Sequence, residues 1–255
     1  MKAIWKGSIN FGLVNIPVKL YSATEQSTLD LDMLDKRDMG KVKFKRINEN
    51  TGKEIAWENI GKAYMLDGEY IMLDDEDFEA AAPEKSKTID ISNFIDEKDI
   101  DTIYFENSYY AEPEKQGVKA YALLREALAK SGKVGIAQFV MRTATTLAVL
   151  KPKDTVLVLS KIRFEQEIRG IEALNLPPKS GVKADELKMA LTLINQYSSP
   201  FEIEKYKDEY ADALIKVIKA RASGKKGKVR KLIPKESHTQ NLMDQLKASL
   251  VKQKA

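Results

Sequence analysis

The stretch from Val118 to Phe164 constrains the fold more than any other part of the chain. Residues 119–130 carry apolar side chains at helical spacing, and Ser131-Gly132 is typical of a helix end. Three short apolar runs follow at residues 134–141, 147–150 and 155–160, with connectors at 142–144 and 151–154. Such runs are typical of strands buried on both faces. Because residues 115–170 hold eleven Lys or Arg against four Asp or Glu, we expect a buried sheet with basic connectors.

Composition limits both the core and the available chemistry. With 255 residues, 43% of them hydrophobic, the chain is long enough for one sizeable core with appendages. Zero cysteines exclude disulfides and thiolate metal sites and fit a reducing cytoplasm. Lys6, Asn10 and Asn15 interrupt the first apolar runs before they reach signal-peptide length, and no run reaches the roughly 20 residues of a membrane span. We therefore expect a soluble cytoplasmic protein that does not engage membranes.

Charge is distributed unevenly along the chain. The net charge is +4, but residues 66–114 hold sixteen acidic and three basic residues, whereas residues 219–255 hold eleven basic and two acidic ones. A basic tail on a mildly acidic body is typical of a protein with a polyanionic partner. Solvated charge is the commoner explanation of any single run, and it stays open here.

Four blocks of literal sequence are more specific than any pattern. The first, from Ala3 to Thr24, predicts two strands by its alternation, with Pro17 favouring an edge or a bulge. The other blocks lie at residues 73–85, 119–137 and 200–210. All four, in this order, resemble the bacterial Ku proteins, which are DNA end-binding factors of non-homologous end joining.

The resemblance implies a mixed α/β, mainly β fold and several binding partners. It implies a Ku-type β-barrel core with an extended bridge, which we place at residues 1–182. Spacing and composition predict helices over 183–222 and a basic flexible tail ending in a short helix over 223–255. The resemblance also implies a homodimer that closes a ring around a double-stranded DNA end, recruits and stimulates the DNA ligase of the pathway, and associates with the nucleoid.

Cations are concentrated where the resemblance places the start of the bridge. Residues 35–46 alternate cations with Val42 and Phe44, which predicts a strand with one apolar face and one cationic face. An ordinary solvated strand face is the alternative. The expected DNA contacts are Lys36, Arg37, Lys41, Lys43, Lys45 and Arg46 here, Lys133 and Arg142 beside the central strands, and Lys225, Lys226, Lys228, Arg230 and Lys231 in the tail. Arg142 is the first choice, because it ends a buried strand.

Turn residues and an acidic run organise the next segment. Residues 48–52 predict a hairpin turn, and several relatives carry Cys-x-x-Cys at the positions of Asn48 and Thr51, where this chain has none. A second hairpin is expected to turn at Asp67-Gly68, followed by a short acidic helix at 74–82. Its carboxylates suggest a metal-dependent nuclease, but capping of the first helical turn explains them better.

Aromatic residues accompany the next two expected strands, at 89–94 and 103–110. Tyr104, Phe105, Tyr109 and Tyr110 are of a type that stacks on bases of single strands. Packing in a core or at a dimer contact is the favoured explanation, because the surrounding acidic residues would repel phosphates.

Two amphipathic helices are predicted near the C-terminus, at 184–197 and 203–222. Packing on the barrel is their default use, and a groove for a partner is the alternative. The expected ligase contacts are Phe201, Tyr206, Tyr210 and Leu214. Residues 223–235 contain too few apolar side chains to fold by themselves, so they are expected to be a flexible segment that either contacts phosphates or serves as a linker.

The residues needed for most enzymatic sites are missing from this sequence. His238 is the single histidine, and no P-loop motif occurs. We therefore expect a binding protein and not an enzyme, without cofactor or metal. A nucleic-acid-binding scaffold without end preference is an alternative function, and weak lyase activity of a lysine amine at abasic DNA ends is another.

Overall fold

A computed structural model describes residues 1–25, 29–82, 87–141, 144–178 and 181–224, together with residues 245, 246 and 249. The chain divides into two compact units. The first comprises Met1–Gln26 and Leu31–Gly170, and the second comprises Ser27–Asp30 and Ile171–Ala255.

Nine strands and four α-helices form the regular structure of residues 1–224 as far as they are described. The strands are β1 (Trp5–Phe11), β2 (Val14–Ser22), β3 (Lys62–Leu66), β4 (Glu69–Leu73), β5 (Thr88–Asp96), β6 (Phe105–Pro113), β7 (Lys133–Met141), β8 (Ala144–Lys153) and β9 (Val156–Ile162). The helices are α1 (Asp75–Ala81), α2 (Val118–Ser131), α3 (Ala184–Tyr197) and α4 (Glu209–Ala222). Seven strands close a barrel in the order β1-β2-β6-β9-β8-β7-β5. All neighbours are antiparallel except β1 and β5, which are parallel. The predicted mainly β fold is confirmed.

Alternating side chains from the barrel strands fill its interior. Ile9, Ile16, Leu20, Leu150 and Leu159 are fully buried there, because successive residues of a strand face opposite sides of a sheet. Helix α2 packs its buried residues Tyr121, Leu124 and Leu128 against this core. The predicted helix end is confirmed, because Gly132 adopts a left-handed φ of 66° and its N–H donates to the Leu128 carbonyl at 3.1 Å.

A second cluster covers the outside of the barrel wall. Val134, Val149 and Ile162 are buried there against partly buried neighbours that include Ile100, Tyr104 and Phe105. The predicted burial of the central strands on both faces is therefore confirmed. Tyr109 packs in the inner core, so core packing accounts for Tyr104, Phe105 and Tyr109.

Two expectations about segments that contain proline are wrong: the bounds of the connector at 151–154, and the edge position of Pro17. Residues 151–153 belong to β8, so the predicted connector at 151–154 is shorter. Pro152 pairs with Leu157 of β9, but the ladder with β7 ends at Leu150, so its missing N–H costs no bond on that side. Pro17 pairs with Ser8 in a closed barrel rather than at an edge, and the ladder of β2 with β6 begins only at Val18.

Residues 31–82, which we call the bridge segment, contain no buried residue. The predicted strand at 35–46 is wrong, since only the isolated bridges Leu34–Lys41 and Ile47–Glu54 occur there. The predicted turns are confirmed at Asn48, whose Oδ1 accepts the N–H groups of Asn50 and Thr51, and at Asp67-Gly68, where both φ angles are positive.

The second unit holds α3 and α4. Helix α3 has the predicted bounds, but α4 begins at Glu209 and not at Ile203. Asp208 caps it by accepting the N–H groups of Tyr210 and Ala211, and residues 203–205 form a separate 3-10 turn. Among the described residues, no helix is long and apolar enough to cross a membrane.

Candidate nucleic-acid interface

The first turn of the bridge segment presents its cations at the tip of a short hairpin. Val42 N–H donates to the Met33 carbonyl at 3.0 Å, and Asp35 N–H donates to the Gly40 carbonyl at 2.8 Å. Lys36 and Arg37 lie between these hydrogen bonds and are exposed. A tight local turn, rather than a strand, thus positions the first predicted phosphate contacts.

Three of the six predicted bridge cations are neutralised by nearby carboxylates. Arg37 Nη2 lies 2.6 Å from Asp35 Oδ2, and this hydrogen-bonded guanidinium lowers the pKa of Asp35 below its ordinary value. Lys41 Nζ lies 3.2 Å from Asp32 Oδ2. Across the second turn, Lys45 Nζ lies 2.6 Å from Glu54 Oε2. These three cations have less charge to offer a polyanion than the sequence alone suggests.

The other three bridge cations have no carboxylate partner within the described ranges. Lys36 and Lys43 are exposed and make no ion pair there. Arg46 lies with its guanidinium carbon 4.4 Å from the centroid of the Trp57 ring, which keeps its full charge while restricting its motion. Sequence reasoning missed Trp57, and a tryptophan shortly after the cations Lys45 and Arg46 was the available signal.

Of the two cations predicted beside the central strands, the structure describes Lys133. Lys133 begins β7 and pairs with Asp96 of β5 at 3.0 Å, close to an acidic stretch that continues to Asp101. Arg142 lies outside the described residues, and Met141 at the other end of β7 precedes it. Eight steps along a strand separate Lys133 from Met141 by about 26 Å.

The acidic run at the start of α1 is used for helix capping. Asp74 Oδ1 accepts the Asp77 N–H, and Asp77 Oδ2 accepts the Asp74 N–H, each at 3.0 Å. In the described part of the chain, no group of three or more acidic or histidine side chains is arranged to hold a metal ion.

Comparison with known proteins identifies the barrel. The family model described as the Ku70/Ku80 beta-barrel domain matches residues 10–189. The chain belongs to the Ku family. Its resemblance to bacterial Ku proteins is confirmed by relatives named "Non-homologous end joining protein Ku". The relative from Coxiella burnetii is 37% identical and covers 98% of this chain and 94% of its own length. Those from Pseudomonas aeruginosa and Bacillus subtilis are 41% and 38% identical and cover 87% and 98% of this chain and 77% and 82% of their own lengths.

The remaining predicted contacts of this Ku-family chain lie beyond the barrel. Lys225, Lys226, Lys228, Arg230 and Lys231 are outside the described residues, as is almost all of the predicted last helix. The rings of Phe201 and Tyr206 lie 5.8 Å apart at an angle of 33°, and both are exposed, as is Tyr210. Leu214 is half-buried. Because Tyr206 precedes α4, it does not share a helical stripe with Tyr210 and Leu214.

Sequence reasoning also missed an ion cluster on the barrel wall. Glu106 of β6 pairs with both Lys161 at the end of β9 and Arg163 just beyond it. The two cations are two residues apart in the chain, which was visible in the sequence. Their shared carboxylate is 55 residues away from Lys161 and becomes a neighbour only through the register of β6 with β9.

Proposed function

We propose that this chain binds double-stranded DNA ends in non-homologous end joining as a ring-shaped homodimer. Binding is independent of sequence, and the dimer recruits and stimulates the DNA ligase of the pathway without being an enzyme itself. The observation that carries the proposal is the similarity, over nearly the whole chain, to a relative named for end joining.

Exposed apolar residues of the bridge segment support the homodimer. Phe44 is 80% exposed and Tyr70 is 71% exposed, in a segment without any buried residue. The β3–β4 hairpin is a separate two-stranded sheet, and such a sheet is marginally stable alone in water. A second copy of the chain would bury these side chains and stabilise the hairpin.

The exposed cations support contact with the phosphate backbone. Lys36, Lys43 and Arg46 keep their charge unpaired within the described residues, and backbone contacts neutralise phosphates without reading base sequence. Arg37, Lys41 and Lys45 join them when the duplex competes with their carboxylates. We propose Arg142, Lys133 and the tail lysines and arginines as further contacts.

The decisive experiment compares linear and covalently closed circular duplex of equal length and sequence. A preformed ring admits DNA only at a terminus, so we expect binding to the linear duplex and little binding to the circle. Equal affinity for both would overturn the threading ring.

Substitution of Arg142 tests whether the barrel contributes to DNA affinity. Arg142→Glu should weaken binding to all duplex sequences alike while leaving the fold intact, as judged by circular dichroism. Lys133→Glu should weaken binding less than Arg142→Glu, because Asp96 already pairs with Lys133. Normal DNA affinity of the Arg142 variant would mean that DNA binds a different face of the protein.

The tail and the second unit carry the remaining parts of the proposal. Deleting residues 223–255 should reduce the steepness of the salt dependence by about 0.9 for each phosphate that the tail neutralises, while the dimer persists. An unchanged slope would make the tail a linker.

For ligase recruitment, alanine at Phe201 or Tyr210 should weaken ligase stimulation without changing DNA affinity. Tyr206 and Leu214 are the neighbouring candidates.

A further inference from the structure

Two cations share one carboxylate at the end of the barrel opposite α2. Lys161 Nζ lies 2.8 Å from Glu106 Oε2, and Arg163 Nη1 lies 2.5 Å from Glu106 Oε1. Each cation therefore approaches a different oxygen of the same group. The Arg163 N–H also donates to the Tyr104 carbonyl at 2.8 Å, so the backbone that carries the guanidinium is fixed.

The register of β9 places this cluster at the rim of the barrel. Leu157 and Leu159 belong to the inner core, and Lys161 lies two residues further along the same face of the strand. Its partner on β8 is Ala148, which is also in the inner core. The row of interior residues thus ends in a lysine. The opposite end of β9 lies beside α2, where the Leu157 N–H bonds to Tyr121.

The cluster carries an excess of one positive charge. The Glu106 side chain is only 15% exposed, whereas those of Lys161 and Arg163 are 36% and 40% exposed. The carboxylate is thus enclosed while both cationic groups remain accessible to a ligand. A single carboxylate offsets one of the two charges, so a negative group arriving from solvent would find an uncompensated cation.

A neighbouring ion pair shows what a balanced arrangement looks like on the same wall. Lys151 of β8 pairs with Glu97, one cation to one carboxylate, and their side chains are 32% and 47% exposed. Lysine accessibility is similar in the two places. The differences are the second cation and the deeper position of the acid at Glu106.

We propose that Lys161 and Arg163 form a phosphate-binding site for the DNA backbone at the barrel rim, with Glu106 as the positioning residue. Glu106 holds the two cationic groups side by side, and a phosphate occupies donors that the shared carboxylate leaves unused. Arginine and lysine both bind phosphate, arginine through its planar fork and lysine as a point charge. The inference rests on the proposed function, because it assigns the ligand as duplex DNA.

The test measures the salt dependence of binding to a blunt linear duplex by fluorescence anisotropy. For the Lys161→Gln, Arg163→Gln double variant we expect a slope smaller by about 1.8, which is two contacts at about 0.9 each. Between about 50 and 200 mM salt, the wild type should then lose roughly twelvefold more affinity than the variant. Lys151→Gln, the matched control, should keep the wild-type slope.

Two further variants separate a phosphate site from a purely structural cluster. Glu106→Gln keeps a side-chain oxygen that accepts a hydrogen bond from a cationic group but removes the competing charge. A phosphate site therefore predicts severalfold tighter DNA binding, a purely structural cluster predicts unchanged affinity, and thermal stability should fall in both cases. Arg163→Lys keeps the charge and should keep most of the slope, which guards against misfolding of the double variant.

The outcomes distinguish this inference from the proposed function. A wild type that binds duplex, together with a folded double variant of unchanged slope, overturns the rim site alone. Equal binding of linear and circular duplex overturns the threading ring, but the slope comparison still decides the rim site. A wild type that binds no duplex overturns both.

Discussion

The guanidinium carbon of Arg46 lies 4.4 Å from the centroid of the Trp57 ring. Trp57 is 71% exposed, so burial in a core does not account for its position. The two residues flank the turn at Asn48, and the Ile55 N–H donates to the Arg46 carbonyl at 2.9 Å across it. The ring therefore holds an unpaired guanidinium in place at the surface.

Loss of the Trp57 ring should weaken DNA binding. An exposed cation–π contact contributes about 0.5–1 kcal/mol, so Trp57→Leu should reduce duplex affinity by about twofold to fivefold. Trp57→Phe keeps an aromatic face and should have a smaller effect. Anisotropy titrations at one fixed salt concentration measure both variants. Wild-type affinity in the leucine variant would show that the ring does not position Arg46 for DNA.

An unpaired bridge cation should contribute more to the salt dependence of DNA binding than a cation that lies between two acidic residues. Lys43→Gln removes a lysine without a carboxylate partner among the described residues, so the slope should fall by about 0.9. Lys98→Gln is the control, because Lys98 lies between Glu97 and Asp99 on the acidic side of the barrel. Equal effects of both substitutions would remove the distinction between the two surfaces.

Releasing a paired cation should have the opposite effect. Asp35→Asn frees Arg37 from the carboxylate at 2.6 Å, so DNA binding should become tighter and its salt slope steeper, by up to about 0.9. Glu58→Gln removes an exposed acid in the same segment that makes no ion pair within the described ranges, and its slope should not change. If Asp35→Asn changed neither the DNA affinity nor the salt slope, Arg37 would not reach the duplex.

The Tyr121 hydroxyl should be a major contributor to barrel stability. It donates to the Ala111 carbonyl at 2.7 Å and accepts the Leu157 N–H at 2.6 Å, and burial raises its pKa. Tyr121→Phe removes a hydrogen bond from each of these two buried backbone groups and should cost about 1–3 kcal/mol in urea unfolding. Tyr21→Phe, which removes a bond to exposed Glu112, should cost at most about 0.5 kcal/mol. Equal destabilisation by the two substitutions would contradict the assignment.

Stability should depend on Glu106 in a particular pH window. The hydrogen bond from Lys161, followed by the charges of Lys161 and Arg163, lowers the pKa of Glu106 below its ordinary value of 4.5. A carboxyl group with a lowered pKa stabilises the fold above its unfolded pKa, and that contribution disappears as the pH falls through its folded pKa. Glu106→Gln should therefore be less stable than the wild type at neutral pH, and the difference should shrink below pH 4.5. A difference independent of pH would exclude this origin.

Local chemistry explains which parts of the fold were predictable. The end of α2 at Gly132 and the turns at Asn48 and Asp67-Gly68 depend on residues that are adjacent in the chain. The parallel pairing of β1 with β5 closes the barrel across about 80 residues, and no local pattern encodes it. The barrel was predicted from the resemblance to bacterial Ku proteins, whereas the spacing of apolar residues predicted only the individual strands.

The same distinction applies to the candidate site. The sequence located the bridge cations, but the pairing of Lys45 with Glu54 depends on the register of a turn. Glu106 and Lys161 meet only because β6 lies beside β9. The late start of α4 was missed because Asp208, a residue that accepts N–H groups at helix starts, lies inside an otherwise helical pattern.

The turn at Asn48 is closed by amide, peptide and hydroxyl groups. Its side-chain oxygen accepts two N–H groups, and its own N–H donates to the Lys53 carbonyl at 2.9 Å. Peroxide and chelators act on thiols and bound metals, and neither is required for these bonds. Arg46 and Lys45 should therefore keep their positions beside this turn in the presence of peroxide or a chelator.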